Sequence, residues 1–181
     1  PAGDPIAHWA EQLTKELRLG AQILTDHNIT PPAANTVFFG GGTPSLLGRQ
    51  LPKILDVVRE CFGIAPGAEI TSEANPESTS PELFDCWRAG GVNRLSLGMQ
   101  SSEPRVLALL DRQHDPARAV AAIEEAQAAG FEHLNLDLIY GTPGETTDDV
   151  ARSVDTVLAT GVDHVSAYAL TIEPVSYTHL R

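Results

Sequence analysis

Residues 40–42 are three consecutive glycines, set between Thr36-Val37-Phe38-Phe39 and Thr43-Pro44-Ser45-Leu46-Leu47. A backbone without side chains can adopt positive φ and let a ligand approach closely. At the end of a strand its N–H groups can hold an anionic or zwitterionic group. Taken alone, such a run is also a flexible strand-to-helix turn, because turns of this kind are Gly-rich. Glu73 alone reads as a solvated strand-end carboxylate, and Asp137 alone as a loop cap. The cysteines are Cys61 and Cys86, each in a helix pattern that predicts a buried structural thiol. Two thiols cannot supply the ligand set of a cluster, so no metal site is predicted within the chain. They also make no disulfide framework, which favours a reducing, cytoplasmic setting. His114, His133 and His164 lack metal-ligand spacing and read as surface or strand positions.

These residues must be positioned by regular elements. Asp4-Pro5 supplies an N-cap and first helical position, and Ile6, Trp9, Leu13 and Leu17 follow as one apolar stripe. A strand over 36–39 precedes a helix over 51–62, which Gly63 ends. A second strand covers 69–73, and a short helix 81–89. The chain then repeats itself. Gly91-Val92-Asn93-Arg94-Leu95-Ser96-Leu97 parallels Gly130-Phe131-Glu132-His133-Leu134-Asn135-Leu136 and Gly161-Val162-Asp163-His164-Val165-Ser166-Ala167. Each copy begins with a helix-ending glycine and runs into a strand. Helices are predicted near 103–110, 116–129 and 146–160. Strands alternating with helices predict an α/β protein with a parallel sheet. An open barrel and a doubly wound sheet both fit this pattern. In a barrel, active sites gather at the C-terminal ends of strands. Those ends hold residues 40–43, Glu73, 98–100, 137–140 and 168–171, and jointly they predict a site.

The 181 residues, 42% of them hydrophobic, suit one globular domain with its own core. The net charge of −12, without a Lys/Arg cluster, argues against nucleic acid and anionic membrane surfaces. No apolar run approaches the roughly 20 residues of a transmembrane helix. The opening residues have no signal-peptide pattern, and residue 1 is Pro, so a native N-terminus is expected further upstream.

The segment Phe39-Gly40-Gly41-Gly42-Thr43-Pro44-Ser45-Leu46-Leu47 resembles the signature of radical S-adenosylmethionine (SAM) proteins of the oxygen-independent coproporphyrinogen III oxidase group. Further segments resemble the same group in the same order: Ser72-Glu73-Ala74-Asn75-Pro76-Glu77, the run from Asn93 to Ser101, the run from Leu136 to Glu145, and the run from Val165 to Pro174. The resemblance covers the chain to about Pro174. The Pro-Ser-Leu-Leu, Ala-Asn-Pro-Glu and Gly-Thr-Pro-Gly-Glu variants resemble the heme chaperone branch more than the oxidase proper. It implies an incomplete (β/α)6-type parallel barrel, a three-quarter TIM barrel whose first strand is missing from this chain. Residues 1–174 would be a partial radical SAM core and 175–181 a non-family tail.

The resemblance also implies roles. Gly41, Gly42 and Thr43 match contacts to the methionine part of SAM, and Glu73 an acidic contact to the same cofactor. Gln100, Arg112 and Asp137 match contacts to a second SAM, where Arg112 could grip a carboxylate bidentately. For Arg112 the plain alternative is an exposed helix arginine. Thr171 matches a backbone contact to adenosine. The group holds a [4Fe–4S] cluster with Cys-x3-Cys-x2-Cys after the first strand, and electron transfer from it cleaves SAM to a 5′-deoxyadenosyl radical. That triad is absent here and is expected within roughly 40 residues before Pro1, about one βα unit. The group continues Glu-Pro-Gly-Thr where this chain has Glu173-Pro174-Val175-Ser176, so a foreign or frame-shifted junction and a missing C-terminal domain are expected.

Three functions follow. One is a heme chaperone that retains the radical SAM core, binds heme or porphyrin, and delivers heme to acceptor proteins. Another is coproporphyrinogen III oxidation, the radical decarboxylation of two propionates to vinyls. A third, independent of the resemblance, is a barrel enzyme holding phosphate at 40–42. That reading requires a second phosphate loop after a late strand, yet residues 167–174 contain no glycine.

Overall fold

The computed structural model describes residues 4–112 and 115–171. His114, Glu173-Pro174 and the tail 175–181 therefore lie outside the described residues. The chain opens with α1 (Pro5–Asp26), followed by β1 (Ala34–Phe39), α2 (Gln50–Phe62), β2 (Ile64–Ala74), α3 (Pro81–Gly90) and β3 (Arg94–Gln100). Then come α4 (Pro104–Leu109), α5 (Pro116–Ala128), β4 (His133–Tyr140), α6 (Thr147–Ala159) and β5 (His164–Ala169). Local chemistry sets the helix starts. Asp4, Ser80 and Asp115 each accept a backbone N–H at a start that also carries proline. Thr146 and Asp149 form a reciprocal capping box on α6.

Among the described residues five strands form one parallel sheet in the order β1-β2-β3-β4-β5. Strand alternation divides its side chains between two faces. Leu95, Leu97 and Met99 of β3 and Leu134, Leu136 and Leu138 of β4 are buried in the core. They pack with Leu51 and Leu55 of α2, Phe84 and Trp87 of α3, and Ile123 of α5. The alternate positions, Ser96, Gly98, Gln100, Asn135 and Asp137, belong to the opposite face. The sheet curls into an incomplete barrel, as the resemblance implied, and the doubly wound alternative does not hold.

The structure refines several expectations. β2 begins five residues earlier than the pattern suggested. Ala34 pairs with Ile64, and the register shifts before Thr36 pairs with Glu69. Pro66 and Gly67 sit within this irregular strand, with Gly67 at φ 77°. The α1 stripe is not sealed into a core. Trp9 is 54% exposed, and Ile6, Leu13 and Leu17 line an open groove. Cys61 and Cys86 are half-buried rather than buried. Cys61 lies in the last turn of α2 and borders a shallow groove with Ala21 and Leu24 of α1.

Candidate functional site

The glycine loop leaves β1 with Gly41 at φ 103°, a conformation that side chains rarely adopt. Its N–H donates to Glu73 Oε2 at 3.1 Å, joining the exits of β1 and β2. Gly40 is needed for a different reason. A Cβ there would run into the Phe38 ring and lie 3.3 Å from the Glu73 carboxyl carbon. At Gly41 and Gly42 a Cβ would meet nothing within 4 Å, so open space lies above both. The loop's far side is anchored. Ser45 accepts the Asn75 N–H at 3.0 Å and lies 2.6 Å from the Ser78 hydroxyl. The indole N–H of fully buried Trp87 donates to Gly48 O at 2.9 Å.

β3 ends irregularly. Its pairing with β4 shifts between Gly98 and Gln100, and Gln100 adopts φ 68°. The Gln100 amide folds back over Gly98, where a Cβ would lie 2.6 Å from Nε2. A side chain at Gly98 would displace that amide. Arg112 follows α4, and its backbone N–H donates to Leu107 O at 2.9 Å, so its position follows that helix.

Asp137 is oriented by its neighbours on the same face. Asn135 Nδ2 donates to Asp137 Oδ1 and to Ser96 Oγ, both at 2.7 Å. Ser96 Oγ reaches both carboxylate oxygens at 3.3 Å. Asn135 Oδ1 lies 2.6 Å from His164 Nδ1 and accepts from Ser166 Oγ at 3.2 Å. The amide of Asn135, only 1% exposed, is thus satisfied on both sides. Sequence reading missed Asn135 and Ser96 as parts of the site. The available signal was the alternation Leu134-Asn135-Leu136-Asp137-Leu138, whose polar members must share a face.

Gly41, Gly42, Thr43, Glu73, Gln100, Arg112 and Asp137 all line one cavity of about 210 Å³ above the strand ends. Thr171 is exposed at the end of β5, its hydroxyl 3.4 Å from Ala169 O, and is not among the lining residues. The cavity offers backbone amides, two carboxylates and one guanidinium. That set can hold a small ligand with charges of both signs. The described residues contain no group of three His, Cys, Asp or Glu side chains able to hold a metal ion. Cys61 and Cys86 lie on α2 and α3, in the helix layer.

The sequence model of the radical SAM superfamily matches residues 21–157. The chain belongs to this superfamily. Among its relatives, it is 58% identical over 166 residues to the heme chaperone HemW of Mycobacterium tuberculosis, covering 91% of this chain and 41% of that protein. It is 37% identical to the heme chaperone HemW of Bacillus subtilis, covering 94% of this chain and 44% of the relative. The radical SAM enzyme coproporphyrinogen III oxidase (HemN) of Escherichia coli superposes with a TM-score of 0.81 at 29% identity, covering 94% of this chain and 39% of that one. The chain thus spans about two fifths of the length of these proteins.

Radical SAM proteins use SAM and a [4Fe–4S] cluster. The open space above Gly41 and Gly42 and the mixed charges beside it suit the amino acid end of SAM. The described residues do not suit the cluster, for lack of a ligand set. Among them no helix is long and apolar enough to cross a membrane.

Proposed function

We propose that this chain is the partial core, residues 1–174, of a radical SAM iron–sulfur protein of heme metabolism. The complete protein binds heme and delivers it to acceptor proteins. Residues 175–181 lie outside the family pattern. The observation that carries this reading is the convergence of the glycine loop, Glu73, Gln100, Arg112 and Asp137 on one cavity. The extended similarity to heme chaperones supports the heme half of the proposal.

In this reading the amides of Gly41 and Gly42 and the Thr43 hydroxyl bind the methionine carboxylate and ammonium. Glu73 already holds the Gly41 N–H and accepts from the ammonium or ribose. Gln100, Arg112 and Asp137 form the far wall and could grip a second SAM, with Arg112 bidentate on its carboxylate. Thr171, at the rim of β5, is assigned to adenosine. SAM supplies radical chemistry when it is bound beside a reduced cluster. The cluster's ligands come from a Cys-x3-Cys-x2-Cys segment preceding α1 in the complete protein.

Calorimetric titration of SAM into the complete, cluster-reconstituted protein tests the cofactor half. Wild type should bind, and Gly42→Val should not. Gly42 is the sharper choice than Gly41, because no positive φ confounds it. Hemin titration followed by absorbance tests the other half. The similarity to coproporphyrinogen III oxidase supports a second reading, radical decarboxylation of porphyrinogen propionates. Turnover of coproporphyrinogen III without hemin binding would decide for that alternative.

A further inference from the structure

Gln100 and Arg112 reach the cavity from opposite ends of a short connection. Gln100 has a left-handed backbone, and so does Asp111, at φ 53°, immediately before Arg112. Between them α4 has only six residues, too few for a helix to persist unaided. Something outside the connection must fix it.

That support is α6. Asp149, Arg152 and Ser153 recur at the three- and four-residue spacing that places side chains on one helix face. All three bond to the segment after β3. Ser153 Oγ accepts the Ser102 N–H at 2.9 Å and lies 3.2 Å from the hydroxyl of fully buried Ser101. Arg152 Nε donates to Glu103 Oε1 at 2.6 Å. Arg105 of α4 pairs with Asp149 and also donates to Gly144 O at 2.8 Å. Asp149 is only 2% exposed, yet it accepts from Arg105, from Arg152, and from the Thr146 backbone N–H and hydroxyl at 2.6 Å each. One buried carboxylate therefore fastens the start of α6, the loop after β4, and α4. None of these groups lines the cavity.

We infer that Asp149 and Arg105 are positioning residues, which hold α4 so that Gln100 and Arg112 face the cavity. Their effect on SAM rests on the function proposed above; their effect on the segment does not. Removing the seam leaves α4 held by the burial of Val106 and Leu107. Displacements of about 1 Å from a remote change can cost about a hundredfold in a positioned reaction.

The test uses the complete protein with Asp149→Asn, Arg105→Met and Arg105→Lys. The amide introduced by Asp149→Asn keeps an acceptor for Thr146 but loses the charge shared by two arginines. Amide hydrogen exchange over residues 100–112 should accelerate in Asp149→Asn and Arg105→Met, while β1, β2 and α2 exchange as in wild type. The dissociation constant of the second SAM, the one that Gln100 and Arg112 would grip, should rise about tenfold or more in both. Arg105→Lys should restore part of that loss, which a general loss of stability would not predict. If Asp149→Asn fails to fold, Ser153→Ala tests the same seam with a smaller expected acceleration. Unchanged exchange over 100–112 would overturn the proposal. So would accelerated exchange with undiminished affinity for that second SAM. A wild type that binds no SAM refutes the proposed function instead, and the exchange measurement still decides the seam.

Discussion

The polar cavity above the strand ends and the apolar groove beside β1 share Gly42, Thr43 and Pro44, yet they are built oppositely. The cavity, about 210 Å³, is edged by groups already held in place: Glu73 on Gly41, Asp137 on Asn135 and Ser96, the Gln100 amide over Gly98. The groove, about 800 Å³, is walled by Trp9, Leu13, Phe38 and Leu46. Trp9, Phe38 and Leu46 are more than half exposed there. Among the described residues β1 pairs only with β2, so its other edge opens on this groove. Preorganised polar groups specify a small charged ligand, because their orientation is set before binding. An apolar wall along a free strand edge specifies only cover, and exposed edges are normally paired or covered. The larger hollow is therefore not the better site.

The largest expected effect concerns iron. The 181-residue chain should take up no [4Fe–4S] cluster on anaerobic reconstitution, because Cys61 and Cys86 sit in separate helices. The complete protein should take up about four irons and four sulfides. Iron and sulfide analysis with absorption spectra checks both. A thiolate-held cluster on the short chain would place cluster chemistry where neither hollow provides for it. In the complete protein, amides of residues 34–39 should also exchange more slowly than in the short chain, as a paired edge requires.

The next effect separates the two hollows by ligand. In the complete protein Glu73→Gln should weaken SAM binding by about 1.5–3 kcal/mol, the scale of a hydrogen bond to a charged group. Trp9→Ala should leave that affinity unchanged. Calorimetry on both variants decides it. Equal losses would merge cavity and groove into one binding surface.

Much of this contrast was legible in the sequence, for identifiable reasons. Helix starts announced themselves because Asp4-Pro5, Ser80-Pro81 and Asp115-Pro116 combine a cap with a fixed φ. Strand starts followed from the repeated helix-ending glycines, and the glycine loop from its position after a β-branched and aromatic run. What stayed hidden was set by partners distant in sequence. The early start of β2 at Ile64 escaped the strand pattern because no local rule reports that β1 pairs beside it. The α1 stripe was visible as an apolar face, but periodicity shows which face is apolar, not what covers it. Asn135 depends on β3 and β5 neighbours, and Asp149 on Arg105 from another βα unit. Thr171 was assigned by resemblance alone, and no contact with the cavity supports it.

The smallest predicted effect is a pH dependence confined to the cavity's far wall. The Thr146 hydroxyl and backbone N–H, with Arg105 beside them, hold the Asp149 carboxyl down to about 2. Its ordinary value is near 3.9. A folded-state value below the unfolded one stabilises the fold fully above the unfolded value, and that contribution fades as pH falls toward the folded value. The seam should therefore be intact at pH 5 and weaken between about pH 4 and pH 2. Protonation of Asp149 leaves the guanidinium groups of Arg105 and Arg152 facing a neutral acid. Glu103, bonded to Arg152, is the other acid of the seam. Thermal melts from pH 5 to pH 2.5 on wild type and Asp149→Asn isolate the carboxyl, because every other acid is common to both proteins. Wild type should lose more stability over that interval, and exchange over residues 100–112 should rise before exchange in β1 and β2. Parallel pH profiles for the two proteins would mean that the carboxylate of Asp149 contributes nothing to holding α4. The orientation of Gln100 and Arg112 would then rest on the Ser153 and Arg152 bonds to the segment, the Arg105 bond to Gly144 O and the burial of Val106 and Leu107.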